Sequence, residues 1–422
     1  MLFTTHFKQF ASVLSCVALL SLAACGSSES TGLGDSQDGI NSLPAGPTMQ
    51  PVAATASNTV PITVNAGSAK NINVPMVSVT VCASGSTSDC QTIDNILLDT
   101  GSDGLRVMSS ALNSSLSAAL PHATSEAGPL AQCANFASGY MWGTVRTVDV
   151  KIGGETASGI PIQVVGDLPE SSVPENGCAN GPAVKTAKDL GANGILGMGT
   201  RYNDCGEKCL SESDSEYYAC DEGAECAQAA VPLAQQLSNP VRHFAVNNNG
   251  MILQLPPVPN RGAASVTGTL VFGINTQPNN ALNATTQLYT NGVGNLPGSL
   301  FNGKQVNAFF DSGAYVNFFT DDSLTKCSGK EADFYCPAKP QTRSVTLVGQ
   351  NGTTGNVSFN VASASTLFKQ GANVAFNNLA GPSGADKLDW FALGLPFFFG
   401  RHVYFGMDQS DTPDGKGPYV AF

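Results

Sequence analysis

NILLDTGSDGL, residues 95–105, carries an apolar run that ends in the carboxylate of Asp99 and is followed at once by Thr100, Gly101 and Ser102. A carboxylate at the end of a strand-like apolar run is costly to bury unless another group shares its charge or its proton. NAFFDSGA, residues 307–314, repeats the pattern around Asp311-Ser312-Gly313, 212 residues further on. These are the two Asp-[Ser/Thr]-Gly triplets in the chain. Their separation is too large for a local repeat and fits one carboxylate from each of two lobes.

The duplication extends past the aspartates. Asn193-Gly194-Ile195-Leu196-Gly197 follows the first triplet and Phe391-Ala392-Leu393-Gly394 follows the second, so each half runs from an acid through hairpins to an apolar pair and a glycine. On these motifs the chain resembles the pepsin-like aspartic proteases. Gly268-Thr269-Leu270-Val271-Phe272-Gly273 resembles the strand that opens the family's second half, residues 231–237 resemble the short helix before it, and residues 393–408 resemble its closing strands. The resemblance covers roughly residues 74–422 and implies a mostly β, two-lobed pepsin-like acid protease fold with pseudo-twofold symmetry and a few short helices. The local pattern agrees. Alternating or short apolar runs at residues 74–82, 144–152 and 344–349, bounded by turn residues, read as strands. Only residues 109–120 and 229–237 read as helices, and Phe397-Phe398-Phe399 reads as core strand.

The resemblance also implies the chemistry: an aspartic endopeptidase acting on a polypeptide substrate with no cofactor and no metal. Asp99 and Asp311 are the expected catalytic pair. Like charges at close range cannot both ionise, so one proton is shared, and either member is open as the base at this point. Gly101 and Gly313 would let backbone N–H groups approach the carboxyls, and Thr100 and Ser312 would hydrogen-bond across between the lobes. Ser102 is placed to donate to Asp99, whereas Ala314 cannot do so for Asp311, which implies an asymmetric pair and a less acidic optimum. The hairpin at residues 136–143 resembles the substrate-covering flap, with Phe136, Gly139 and Tyr140 as its cleft residues. Three positions depart from the family: Phe136 replaces the flap tyrosine, Arg106 the tryptophan that it usually meets, and Leu395 an aspartate common in secreted members. These departures keep a second expectation in view, a non-catalytic binding or inhibitor-like lipoprotein on the same fold.

The N-terminus places the chain outside the cytoplasm. Residues 10–24 are an apolar export segment after Lys8, and Leu22-Ala23-Ala24-Cys25-Gly26 resembles a lipobox, which implies a signal peptide at 1–24 and a lipidated Cys25. Glycine after Cys25 favours the outer membrane of a bacterial envelope. Residues 25–57 are rich in Gly, Ser, Pro and Ala, contain no Lys or Arg, and read as a flexible tether without the basic pro-segment common in the family. Lobes are expected at 58–250 and 251–422. Of 12 cysteines, ten remain after Cys16 and Cys25 are set aside, an even number that points to disulfides in an oxidising compartment. Cys82/Cys90 and Cys327/Cys336 can close local loops; the other pairings stay open.

Composition excludes other classes. Charged residues are 12%, about half the usual share, and Gly numbers 45, which favours sheet and turns. A net charge of −12 argues against nucleic acid, and the chain is expected as a monomer attached to the membrane through lipid alone. His122, His243 and His402 form no metal-ligand pair, and there is no Gly-x-Ser-x-Gly elbow for a serine hydrolase.

Overall fold

The computed structural model describes residues 39–67, 71–175, 177–179, 181–220, 226–384, 387–409 and 416–422. The architecture is mostly β and resembles the two-lobed pepsin-like fold, with four short α-helices among the described residues. In the first half, strand Cys90–Asp99 runs parallel to Gly194–Met198, with Asp99 beside Gly197. The chain leaves Asp99 through a tight turn and returns as Asp103–Met108, antiparallel to the same Gly194–Met198 strand. The second half repeats this order: Lys304–Phe310 runs parallel to Trp390–Leu393, and Asn317–Phe318 pairs antiparallel with it.

The glycine closing each apolar pair is required by this crossing. A Cβ on Gly197 would lie 2.6 Å from backbone atoms of Asp103, and one on Gly394 would lie 2.1 Å from the Val316 carbonyl oxygen. Real Cβ atoms do not approach so closely, so the chain returning from each aspartate can cross there only over glycine.

The halves are joined by a shared sheet. Thr59–Val64 pairs with Val266–Phe272, which pairs with Gly250–Leu255, which pairs in turn with Arg401–Gly406. The strand that starts at the boundary expected at residue 250 has both its neighbours in the second half, and Val266–Phe272 carries the join to Thr59–Val64 of the first. One apolar core, running from Val60 through Leu98 and Phe310 to Val420, passes through this sheet.

Three expectations are corrected. Residues 39–57 are docked rather than forming the last part of a tether. Ile40 is 1% exposed and packs with Tyr315, Leu367 and Phe376. Beyond it the Asn360 side chain donates to the Pro44 carbonyl, Met49 N–H donates to the Gly400 carbonyl, and Thr269 Oγ1 donates to the Val52 carbonyl. Composition hid this because the partners of residues 40–52 lie more than 200 residues away and bind mostly backbone. Residues 229–237 form only a single 3-10 turn, Leu233–Gln235. Pro232 lacks an N–H, and the Ala229 and Val231 N–H groups donate to Tyr217 and Cys209 instead. Leu395–Phe398 is a buried helical turn with Pro396 in its first turn, where a core strand was expected. Residues 109–120 do carry helix, as a 3-10 turn and then Ser114–Ala119, capped by the Asn113 side chain.

Five disulfides close the expected even set: Cys82–Cys90, Cys133–Cys178, Cys205–Cys209, Cys220–Cys226 and Cys327–Cys336. No described helix is long and apolar enough to cross a membrane. Cys25 and the export segment lie outside the described residues.

Candidate active site

The two Asp-x-Gly turns meet at the join between the halves and grip each other reciprocally. Thr100 N–H donates to Ser312 Oγ at 3.1 Å, and Ser312 N–H donates to Thr100 Oγ1 at 2.9 Å. Each hydroxyl then donates onward across the join, Thr100 Oγ1 to the Phe310 carbonyl at 3.1 Å and Ser312 Oγ to the Leu98 carbonyl at 2.7 Å. Only short hydroxyl residues can accept and donate at once in so tight a space, which is why Thr and Ser stand at these positions.

This grip brings the carboxyls together. A Cβ on Gly101 would lie 2.8 Å from Asp311 Cγ, and one on Gly313 would lie 2.7 Å from Asp99 Oδ1, so each acid occupies the space that a side chain on the opposite turn would need. The two acids are hydrogen-bonded to each other, and burial, the Asp99 charge and that bond raise Asp311 well above the ordinary carboxylate range. The donors are unequal. Asp99 receives Gly101 N–H at 2.8 Å and Ser102 Oγ–H at 2.6 Å. Asp311 receives Ala314 N–H at 3.0 Å, with no hydroxyl to match Ser102. Donors favour the charged form, so the fewer donors at Asp311 act in the same direction as its raised proton affinity.

A cleft of about 370 Å³ opens over the pair. Side chains two apart on a strand share a face, so Leu97 and Phe309 point where Asp99 and Asp311 point, and all four line the cleft. Leu190, Ile195, Phe318, Ala392 and Trp390 extend the apolar wall. Among the described residues Lys387 is the one cation on this wall, its Nζ 4.4 Å from the centre of the Trp390 ring.

The hairpin of Gly128–Phe136 and Gly139–Ile152 reaches over the cleft, with Phe136, Ala137 and Ser138 among its lining. Gly139 and Tyr140 do not line it, which corrects the expectation for both. Gly139 lies against Pro182, whose carbonyl oxygen would be 2.0 Å from a Cβ there. Tyr140 N–H donates to that same carbonyl, and its side chain is buried with Trp142, Cys178 and Tyr218. Alternation explains Tyr140, which sits opposite Asn135 on the hairpin face turned from that of Phe136, whereas Gly139 pairs directly with Phe136 and has no side chain to reach the cleft. Trp142, whose Nε1 donates to Ser172 Oγ at 3.0 Å, is likewise turned away.

Beneath the flap lies a buried charge network that sequence reasoning missed. Arg106, 3% exposed, pairs with Asp204 at 2.8 Å and donates to the Asp103 carbonyl at 3.0 Å. Asp204 also accepts from Gln132 Nε2 and from Tyr217 Oη, the latter at 2.8 Å. Asp103 pairs with Arg201 at 2.8 Å. Burial outweighs that pair and pushes Asp103 up to about 6, with Asp204 and Asp99 adding repulsion. Burial likewise raises Asp204, against Arg106, Gln132 and Tyr217. The available signal was Asp103 itself, a third polar residue directly after Gly101 and Ser102 where an apolar strand is about to begin.

Residues 54–422 match the family model described as "Protein of unknown function (DUF3443)". The chain belongs to that family. No curated protein matches this DUF3443 member. Among solved structures, the aspartic proteinase from Irpex lacteus is similar at 16% identity and a TM-score of 0.49, over 87% of this chain and 97% of that one.

Proposed function

We propose that this chain is an aspartic endopeptidase that hydrolyses peptide bonds between Asp99 and Asp311. One observation carries the reading: two carboxyls, one from each half, are held within hydrogen-bonding reach by reciprocal Thr100–Ser312 bonds and lie open to an apolar cleft.

The mechanism follows from the unequal donors. Ionised Asp99 takes a proton from a water molecule as the water oxygen attacks the scissile carbonyl carbon, and Asp311 gives its proton to the carbonyl oxygen. The resulting gem-diol returns a hydroxyl proton to Asp311 as the C–N bond breaks, and Asp99 passes its new proton to the leaving nitrogen. The pair ends as it began, with one proton and one charge. The apolar wall excludes bulk water from these charges, which strengthens their action on the carbonyl. Phe136 covers the cleft without the phenol of the family's flap tyrosine.

Export and lipid attachment at Cys25 form a second part of the proposal, supported by the N-terminal motif and by five disulfides in the body. A lipid anchor at Cys25 would hold the cleft near the membrane, so it would act on polypeptides there. Digestion of an unfolded protein with each aspartate replaced by Asn tests the first part. Mass spectrometry of the mature N-terminus tests the second: a diacylglyceryl Cys25 supports it, and an unmodified Cys25 overturns it.

A further inference from the structure

We propose that Arg106 is a positioning residue for the flap: its guanidinium, fixed by a buried ion pair, seats the Phe136 ring over the cleft. This rests on the endopeptidase reading, because it assigns the flap's placement over substrate. The Arg106 guanidinium carbon lies 5.5 Å from the centre of the Phe136 ring. A cation facing a ring within about 6 Å is attracted by the ring's quadrupole, and the attraction is strongest where water is excluded. Water is excluded here, since the Arg106 and Asp204 side chains are 4% and 5% exposed.

The guanidinium cannot wander. Nη2 is held by Asp204 and faces Gln132 Oε1 at 3.4 Å, while Nη1 is held by the Asp103 carbonyl. Nε has no partner, so Arg106 is committed to this place without all its hydrogen bonds being met. The positions it connects give the contact its purpose. Arg106 belongs to Asp103–Met108, the strand leaving the Asp99 turn, while Gln132 and Phe136 belong to the first flap strand. One side chain thus ties the flap at its base through Asp204 and Gln132, at its tip through Phe136, and to the catalytic turn through the backbone of Asp103. Lysine would not substitute: it lacks the planar fork that meets Asp204 and the ring together.

The test compares full-length wild type with Phe136→Leu, Phe136→Tyr, Arg106→Lys and the Arg106→Lys/Phe136→Leu double variant, by amide hydrogen exchange without substrate and by peptide hydrolysis. Phe136→Leu leaves the buried ion pair intact. It is expected to speed exchange at the flap tip by about tenfold while the Cys90–Asp99 strand is unchanged. Its KM should rise with little change in kcat. Phe136→Tyr, which keeps the ring face, should restore both, and the double variant should be no worse at the flap tip than Arg106→Lys. Unchanged flap exchange in Phe136→Leu, or equal acceleration in both regions, overturns the assignment. If flap exchange responds as expected but wild type cuts no peptide, the endopeptidase reading falls and the seating of the flap by Arg106 stands.

Discussion

Replacing Asp103 by Asn should reverse part of the pH dependence of stability. Asp103 is 2% exposed, has one oxygen on Arg201 and leaves Oδ1 without a partner. Its ordinary value of 3.8 is raised to about 6 on folding. The folded state therefore binds this proton more tightly than the unfolded state. The corresponding stability is fully present below pH 3.8 and is lost as pH rises through 6. A shift of roughly two units corresponds to about 3 kcal/mol. Asn mimics the protonated acid, and Arg201, with a 31% exposed side chain, can turn to water when it loses the charge. Urea unfolding of both proteins with disulfides intact, from pH 4 to 7, should show the Asn variant gaining on wild type by up to about 3 kcal/mol over that range. Groups common to both proteins, such as His243, largely cancel in the difference. A difference that stays flat, or that moves in favour of wild type as pH rises, would refute the reasoning and show that Arg201 compensates the burial of Asp103.

Other outcomes follow from the same geometry. Ser312→Ala leaves the Thr100 N–H and the Leu98 carbonyl unpaired in a fully buried position, and should cost about 2–4 kcal/mol in chemical denaturation; a loss under 1 kcal/mol would argue against the grip. A chain beginning at Asn58 instead of Gly39 loses the buried Ile40 side chain and its following backbone bonds, and should melt well below the longer form, by about 3 kcal/mol or more. Removing Cys133–Cys178, which closes 45 residues between the flap strand and a distant loop, should cost about 4 kcal/mol on loop entropy. Ala314→Ser gives Asp311 the hydroxyl that Ser102 gives Asp99, and should move the alkaline limb of the pH–rate profile to lower pH; an unmoved limb would remove the donor imbalance as the cause of the asymmetry.

The parts of the fold readable in the sequence were those that physics writes into short motifs. Asp99 and Asp311 end apolar strands, and the glycines at 197 and 394 stand where another chain must cross, so both halves could be recognised without any knowledge of what lay between. Leu97 and Phe309, two residues before each aspartate, went unnoticed although strand alternation puts them on the same face. What else escaped depends on long-range packing. Residues 39–57 have the composition of a linker, and their partners at Gln254, Asn360 and Gly400 cannot be inferred from local pattern. The charge network under the flap joins residues 103, 106, 132, 201, 204 and 217 from separate strands and loops, and only the folded chain brings them within reach. Gly139 and Tyr140 were assigned to the cleft by motif alone, whereas alternation turns Tyr140 away and Gly139, held against Pro182, has no side chain to offer.

The paired-carboxylate mechanism is tested most directly by digestion of reduced casein from pH 3 to 7 by wild type, Asp99→Asn and Asp311→Asn, each beginning at or before Gly39 and checked for folding. The mechanism predicts cleavage by wild type and its loss in both folded variants. Folded wild type that cuts neither casein nor a panel of peptides, or a folded variant that cuts as well as wild type, would contradict it.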